Sequence, residues 1–232
     1  MGDGFRSCVP DSCPACGARS PVGDRDQCSE SLCPGCRSDL QRINAPRRCD
    51  TCSAPLTVGL SRCERCRRIE YAFDAHRSAC VYADSRSSLL HGYKFGRRHE
   101  SGHILARLMS QEVPKQWRTG LIVPVPPRPG SVRRRGYDAV GDLAALIAAQ
   151  LGMEMQCLLR RTGRAEQKAL SYEQRLLNVR GRFAIRGGRP PADVVVLVDD
   201  VFTTGATICE CARLLKSSGV RVVYGLSFAM EL

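Results

Sequence analysis

Several features of common protein classes are missing from this 232-residue chain. It has no stretch resembling the roughly 20 consecutive apolar residues that a membrane span needs, so membrane insertion is not expected. No apolar secretory segment opens the chain, which predicts a reducing, cytoplasmic setting where thiols persist. The phosphate loop G-x-x-x-x-G-K-[ST] is absent, and no G-x-G-x-x-G falls between a strand and a helix. Both absences argue against the commonest nucleotide-binding chemistries. Aromatic residues make up only 6% of the chain. Among the basic runs, only Tyr93, Phe95 and Tyr137 are placed to stack on a base. Met1-Gly2-Asp3 offers no amino-terminal cysteine nucleophile, which argues against glutamine amidotransfer. Large apolar residues are scarce before Leu56, so this part of the chain cannot build much of a core unaided.

Cysteine, by contrast, is plentiful. Of fourteen cysteines, eight fall in four C-x-x-C pairs: Cys13/Cys16, Cys33/Cys36, Cys49/Cys52 and Cys63/Cys66. Two intervening residues let both sulfurs reach one tetrahedral zinc, and two such knuckles complete a Cys₄ site. Neighbours taken in order give one site from the first two pairs and another from the last two. The spacing equally allows Cys13/Cys16 to join Cys63/Cys66, with the middle pairs forming the other site, and Cys8 or Cys28 to stand in as ligands. Two structural Zn²⁺ ions would supply much of this region's folding energy. Cys80, Cys157, Cys209 and Cys211 are expected as small buried hydrophobes. The length accommodates a double zinc-ribbon module over 1–68 and an α/β domain over 69–232.

Charge separates the two parts. Residues 1–66 carry a formal +1 and residues 67–232 a formal +11. Arg133-Arg134-Arg135 and Lys94-Phe95-Gly96-Arg97-Arg98-His99 concentrate part of that basicity. A basic cleft suits a pyrophosphate, and it suits a nucleic-acid backbone as well.

The most informative run is Val194 to Thr207. Five apolar residues, as in a strand covered on both faces, meet Asp199 and Asp200 and then Thr203-Thr204-Gly205-Ala206-Thr207. A helical pattern from Ile208 follows, with a glycine stop at Gly219, and then a further apolar strand from Val220 to Phe228. A helix amino-terminus stabilises a phosphate through unpaired N–H groups and its dipole. Gly205 would let backbone approach the ligand, and the threonine hydroxyls would add donors. Carboxylates would repel that phosphate, so Asp199 and Asp200 suit sugar hydroxyls or a bridging metal. The expected ligand is a phosphorylated ribose.

Other segments extend the site. Leu121 to Pro127 reads as a short strand whose pairing must stop near its prolines, followed by a loop from Arg128 to Gly136. Ala139 to Leu151 reads as a helix stopped by Gly152. The polar stretch from Arg160 to Phe183, with Gln167, Leu170, Ser171, Arg175 and Asn178, could close over substrate and exclude water.

The segment around Asp199 closely resembles the phosphoribosyl-pyrophosphate signature of type I phosphoribosyltransferases. The chain as a whole resembles the ComF family. The resemblance rests on the paired ribbons, Tyr93-Lys94-Phe95-Gly96-Arg97, and Val123-Pro124-Val125-Pro126 with Arg135-Gly136-Tyr137. It extends through Gln167, Leu170-Ser171, Arg175 and Asn178-Val179 to the signature. It implies a type I phosphoribosyltransferase-like parallel sheet behind a zinc ribbon, and binding of phosphoribosyl pyrophosphate with Mg²⁺. Asp199 and Asp200, the catalytic pair, would hold the ribose 2′- and 3′-hydroxyls, and Thr203 to Thr207 the 5′-phosphate. Arg133, Arg135, Lys94 and Arg164 are the candidates for the pyrophosphate. The chemistry implied is pentosyl transfer to an unidentified acceptor, for which no general base stands out. The family also implies a link to DNA uptake, with single-stranded DNA and other uptake proteins as partners. Where family members usually carry Arg-Gly-Phe-Asn-Gln, this chain has Arg135-Gly136-Tyr137-Asp138-Ala139, which puts a carboxylate beside the expected pyrophosphate.

Overall fold

The structure is a computed structural model that describes residues 12–19, 32–36, 47–57, 59–82, 84–95, 99–162, 179–187 and 190–232. In chain order its elements are α1 (Glu64–Arg68), β1 (Ala75–Val81), α2 (Asp84–Phe95), α3 (His99–Gln111), a 3-10 turn (Lys115–Thr119), β2 (Leu121–Pro124), α4 (Pro129–Arg135), α5 (Ala139–Leu151), β3 (Leu159–Arg161), β4 (Phe183–Ile185), β5 (Val194–Phe202), α6 (Ala206–Ser217) and β6 (Val222–Met230).

Four strands form one sheet in the order β1-β6-β5-β2, and every neighbouring pair is parallel. β5 and β6 are central and buried on both faces, which accounts for their near-continuous apolar character. Side chains alternate across β5. Val196 and Val198 pack with Leu89, Leu105, Met109, Leu143 and Ile147 from α2, α3 and α5. Val195 and Leu197 face Ile208, Cys211 and Leu215 of α6, and the same apolar cluster holds Cys49, Cys52 and Cys66. The second cysteine group is thus continuous with the core on the α6 side.

Local signals explain most element ends. α5 runs from Ala139 to Leu151 and stops at left-handed Gly152, as its pattern predicts. β2 pairs with β5 only through Pro124, and Val125 adds one last N–H to the Val198 carbonyl. Two expectations need correction. The segment after the prolines is not an open loop: Pro129 pre-sets the first turn of α4, and Gly136 ends it at φ 85°. β5 does not end at the acids. Pairing of Val201 with Ala229 and of Phe202 with Met230 carries the strand past Asp199 and Asp200.

β3 and β4 pair antiparallel, with Arg161 opposite Phe183, and so tie together the two ends of the polar stretch. Arg164, Gln167, Leu170, Ser171, Arg175 and Asn178 lie outside the described residues, as do Cys8, Cys28 and Gly96 to Arg98. Among the described residues, no helix is long and apolar enough to cross a membrane.

Candidate functional site

The site lies at the carboxyl edge of the sheet, where β5 delivers its acids and turns into α6. Adjacent strand residues face opposite sides of a sheet, and Asp199 and Asp200 accordingly have different neighbours. Asp200 pairs with Lys94 at the end of α2, Oδ2 to Nζ 2.5 Å. Asp199 is turned toward α6, where its charge acts on Arg161 and the buried Cys211. Burial and the Asp200 carboxylate push the Asp199 carboxyl up to about 7. The Asp200 N–H at 2.9 Å, Lys94 and Arg161 work in the other direction. Two carboxylates expected to act side by side are thus held apart, one neutralised by an ammonium and one poised to keep its proton near neutrality.

Beyond Phe202 the backbone turns at Gly205, in the left-handed region at φ 76°, and α6 begins at Ala206. The turn shows two features beyond that expectation. A Cβ on Gly205 would lie 2.7 Å from the Phe202 ring and 2.9 Å from Tyr71. Packing against the protein's own rings thus requires glycine here, as does the positive φ. Thr204 is buried, and its hydroxyl accepts the Ala206 N–H at 3.3 Å instead of facing outward. Thr203 and Thr207 are half-buried.

The basic residues divide. Arg133 and Arg134 are exposed on α4, and Arg135 is half-buried with its Nε–H donated to the Ser131 carbonyl. Arg134 and Arg135 both stand over the Phe95 ring, 5.8 and 5.9 Å from its centroid, and Phe95 itself is 49% exposed. Tyr93 is buried and Tyr137 half-buried, and the Tyr137 hydroxyl bonds to the Tyr93 carbonyl. Of the three aromatics expected as stacking candidates, Phe95 is the exposed one. Asp138 caps α5 by accepting the Gly141 N–H at 3.1 Å, so the carboxylate that replaces the family's amide has a local structural partner.

Arg161 was not foreseen. It stands on β3 with its guanidinium 4.7 Å from the Phe183 ring centroid, and its buried Nε has no hydrogen-bond partner among the described residues. Burial, Arg128 and Arg182 lower its proton affinity, whereas Cys211 and Asp199 raise it. An under-neutralised guanidinium beside the acids suits an anion. Its only local signal was the Arg160-Arg161 pair, of which strand alternation turns the second member inward.

The cysteines form two groups in chain order, Cys13/Cys16/Cys33/Cys36 and Cys49/Cys52/Cys63/Cys66, each with all four sulfurs within 4.8 Å of one another. The knuckles repeat one geometry. Cys33 N–H donates to Cys13 Sγ and Cys63 N–H to Cys49 Sγ, both at 3.3 Å. Gly17 and Ser53 occupy the same left-handed position after the second cysteine, at φ 76° and 69°. Sulfur separations of 3.7 Å (Cys16–Cys33) and 3.6 Å (Cys52–Cys63) are close to the edge of about 3.8 Å set by zinc–sulfur bonds of about 2.3 Å. They are far from the roughly 2.05 Å of a disulfide. Donation from Cys52 and Cys66 pulls the Cys49 thiol far below its usual range, while Cys49 pushes Cys52 up to about 12 and Cys66 well above its ordinary value. Four sulfurs this close ionise together only around a cation, so both donor sets fit zinc. Of the other cysteines, Cys80 and Cys211 are buried as expected, whereas Cys209 is half-buried and Cys157 exposed. Cys209 accepts the Ala72 N–H, and Cys157 lies in the exposed connection before β3.

The parallel sheet, with its acids and threonine turn at the carboxyl edge, places the fold in the type I phosphoribosyltransferase-like class, here carrying two Cys₄ clusters of zinc-ribbon type. The chain belongs to the ComF family. It is 34% identical over 204 residues to the DNA utilization protein YhgH of Salmonella typhi, covering 83% of this chain and 87% of that one. Its Escherichia coli K12 counterpart is 32% identical over 186 residues, 75% of this chain and 80% of that protein. Competence protein F of Haemophilus influenzae is 29% identical over 210 residues, 85% and 90% of the two chains. No protein-family profile matches the chain. Among solved structures, orotate phosphoribosyltransferase from Aeropyrum pernix overlaps 65% of this chain and 79% of its own at 19% identity, with a TM-score of 0.37. Glutamine phosphoribosylpyrophosphate amidotransferase from B. subtilis overlaps 59% of this chain at 20% identity and a TM-score of 0.37, and this chain covers 30% of it.

Proposed function

We propose that this protein binds phosphoribosyl pyrophosphate with Mg²⁺ and transfers its phosphoribosyl group to an acceptor nucleophile. The observation that carries this reading is the β5–α6 junction: a double acid on a central parallel strand, leading through a left-handed glycine into a twelve-residue helix. Asp199 and Asp200 hold the ribose hydroxyls, and the amides at the start of α6 hold the 5′-phosphate. Lys94 and Arg161 flank the acids on opposite faces and meet the pyrophosphate, with Arg133, Arg135 and Arg164 as further candidates. The bond from ribose C1 to the pyrophosphate oxygen breaks, the electron pair leaves with pyrophosphate, and the acceptor bonds to C1 and releases its proton. Asp199 and Asp200 are the carboxylates that would also help hold Mg²⁺, which would supply positive charge against that of the leaving group. Residues 1–68 act as the zinc-ribbon module and 69–232 as the transferase-like domain. Thiolate zinc sites suit a reducing cytoplasm.

Ligand with Mg²⁺ should raise the thermal midpoint by several degrees at concentrations well above Kd. Asp199→Asn with Asp200→Asn should abolish the rise, and an unchanged rise would sink the ribose assignment. Pyrophosphate release with candidate acceptors then tests turnover.

A second reading has its own observation, the exposed Phe95 under two arginines. With relatives named for DNA utilization and competence, this patch suits single-stranded DNA, and uptake proteins would be partners. Titration across a salt series should then show a steep slope, reduced affinity for Phe95→Ala, and weaker binding still for Arg134→Ala. Weak binding without a salt slope would rule this reading out.

A further inference from the structure

The cysteine module touches the phosphate turn directly. Arg65, in α1 between Cys63 and Cys66, donates its Nη1 to the Thr203 carbonyl at 2.9 Å. The Tyr71 hydroxyl donates to the next carbonyl, Thr204, at 3.0 Å. Tyr71 stacks on Phe73 at 4.7 Å. A third link runs beneath the end of the strand. His76 stacks on Phe202 at 4.0 Å, and its Nδ1 lies 3.2 Å from the Cys52 carbonyl. The carbonyl can only accept, so the imidazole donates from Nδ1.

Peptide geometry gives these contacts a consequence. In a planar trans peptide the C=O of one residue and the N–H of the next point in opposite directions, and among the described residues no peptide is cis. Drawing the Thr203 carbonyl toward Arg65 therefore turns the Thr204 N–H away from the module. Drawing the Thr204 carbonyl toward Tyr71 does the same to the Gly205 N–H. Two successive amides are thereby presented on the side opposite the cysteines, as an anion nest requires. Gly205 is held in place by the Phe202 and Tyr71 rings packed where a Cβ would be. α1 has only five residues. Arg65 is therefore placed chiefly by the cysteines that flank it.

We infer that the second cysteine cluster is the positioning element of the donor site: through Arg65 and Tyr71 it orients the Thr204 and Gly205 amides toward the 5′-phosphate of a phosphorylated ribose. The inference rests on the donor reading proposed above. Arg65 and Tyr71 are positioning residues that act on the phosphate through the backbone. Coupling between two sites is reciprocal, so metal in the second cluster tightens phosphoribosyl binding, and the bound sugar phosphate retards loss of that metal by the same factor.

The test uses the full zinc-loaded chain, phosphoribosyl pyrophosphate with Mg²⁺, and three variants: Arg65→Ala, Arg65→Lys and Tyr71→Phe. Arg65→Ala should weaken binding roughly tenfold, as expected for a charge-assisted hydrogen bond worth at least about 1.5 kcal/mol. Its zinc content should stay at the wild-type value. Arg65→Lys, which keeps a donor, should recover part of the affinity. Tyr71→Phe removes one hydroxyl and should weaken binding severalfold, so the proposal stays falsifiable if Arg65→Ala does not fold. Zinc transfer to a chromogenic chelator should slow for one of the two ions when ligand is present, and that protection should vanish in Arg65→Ala. Wild-type affinity in both Arg65→Ala and Tyr71→Phe, or a release rate indifferent to ligand, overturns the inference and leaves the donor reading standing. Failure of the wild-type protein to bind overturns both.

Discussion

Lys94 Nζ meets Asp200 Oδ2 at 2.5 Å, and both side chains are largely buried. This ion pair joins the end of α2 to the carboxyl-terminal part of β5 and neutralises one of two adjacent acids. It also means that a residue expected to meet pyrophosphate is engaged with the acid expected to hold ribose. A donor ligand has to share or displace that contact.

Removing one partner of a mostly buried pair leaves the other charge uncompensated. Lys94→Ala and Asp200→Asn should each destabilise the protein by about 1–3 kcal/mol, with the double variant well short of the sum. Urea unfolding of the four proteins measures the coupling. Strict additivity would mean that the pair is a surface contact of little weight.

Asp199 gives a pH dependence with a definite sign. Its folded-state value of about 7 lies above the ordinary carboxylate range, so the native state binds this proton more tightly than the unfolded state does. The group's contribution is therefore greatest below the unfolded value near 4 and declines as pH rises toward 7. The stability of Asp199→Asn relative to wild type should grow from pH 5 to pH 7 and level off above it. Thermal midpoints of both proteins across pH 5–8 check this, and a difference independent of pH would place Asp199 at an ordinary value.

Gly205→Ala combines a left-handed backbone with a Cβ 2.7 Å from an aromatic ring. The expected cost is about 2–4 kcal/mol, from strain and overpacking together. Loss of the ligand-induced thermal shift should accompany it, because the same turn carries the amides. A stable variant that binds ligand normally would contradict the tight packing of Tyr71 and Phe202 around this turn.

The two cysteine clusters should differ in their effect on the whole fold. Metal analysis should return close to two zinc per chain, as the two Cys₄ groups require. Cys52 is fully buried in the cluster that holds β5 and α6, whereas Cys16 is exposed. Cys52→Ser should therefore lower the thermal midpoint far more than Cys16→Ser. Equal effects would show that the second module is not integral to the core.

Much of the architecture was legible from local pattern. The apolar run before Asp199 marks a buried strand, and the glycine after Leu151 and the prolines after Val123 each mark an element end through backbone chemistry that acts within a few residues. The segment from Pro129 to Arg135 was not legible, because three consecutive arginines look equally like a loop or a short exposed helix. The inward turn of Thr204 was hidden for a different reason. A threonine beside a glycine suits a phosphate cradle by type, but in the folded turn its hydroxyl accepts the Ala206 N–H, and its carbonyl is held by Tyr71, far earlier in the chain.

By itself, the sequence determined the strand–turn–helix unit at Val194–Ser217 and the eight cysteines of the four C-x-x-C pairs. Periodicity, glycine stops and C-x-x-C spacing are local properties that a chain carries before it folds. Only the tertiary structure decided how the cysteines group, that Asp200 faces Lys94 while Asp199 faces α6, and that Arg65 and Tyr71 hold the carbonyls of the threonine turn. Those relations join residues as many as 138 positions apart, as in Arg65 and Thr203. They come from the order β1-β6-β5-β2, which lays β6 between β1 and β5 and brings the cysteine module against the end of β5. No local pattern encodes that order, because it follows from which apolar faces bury one another.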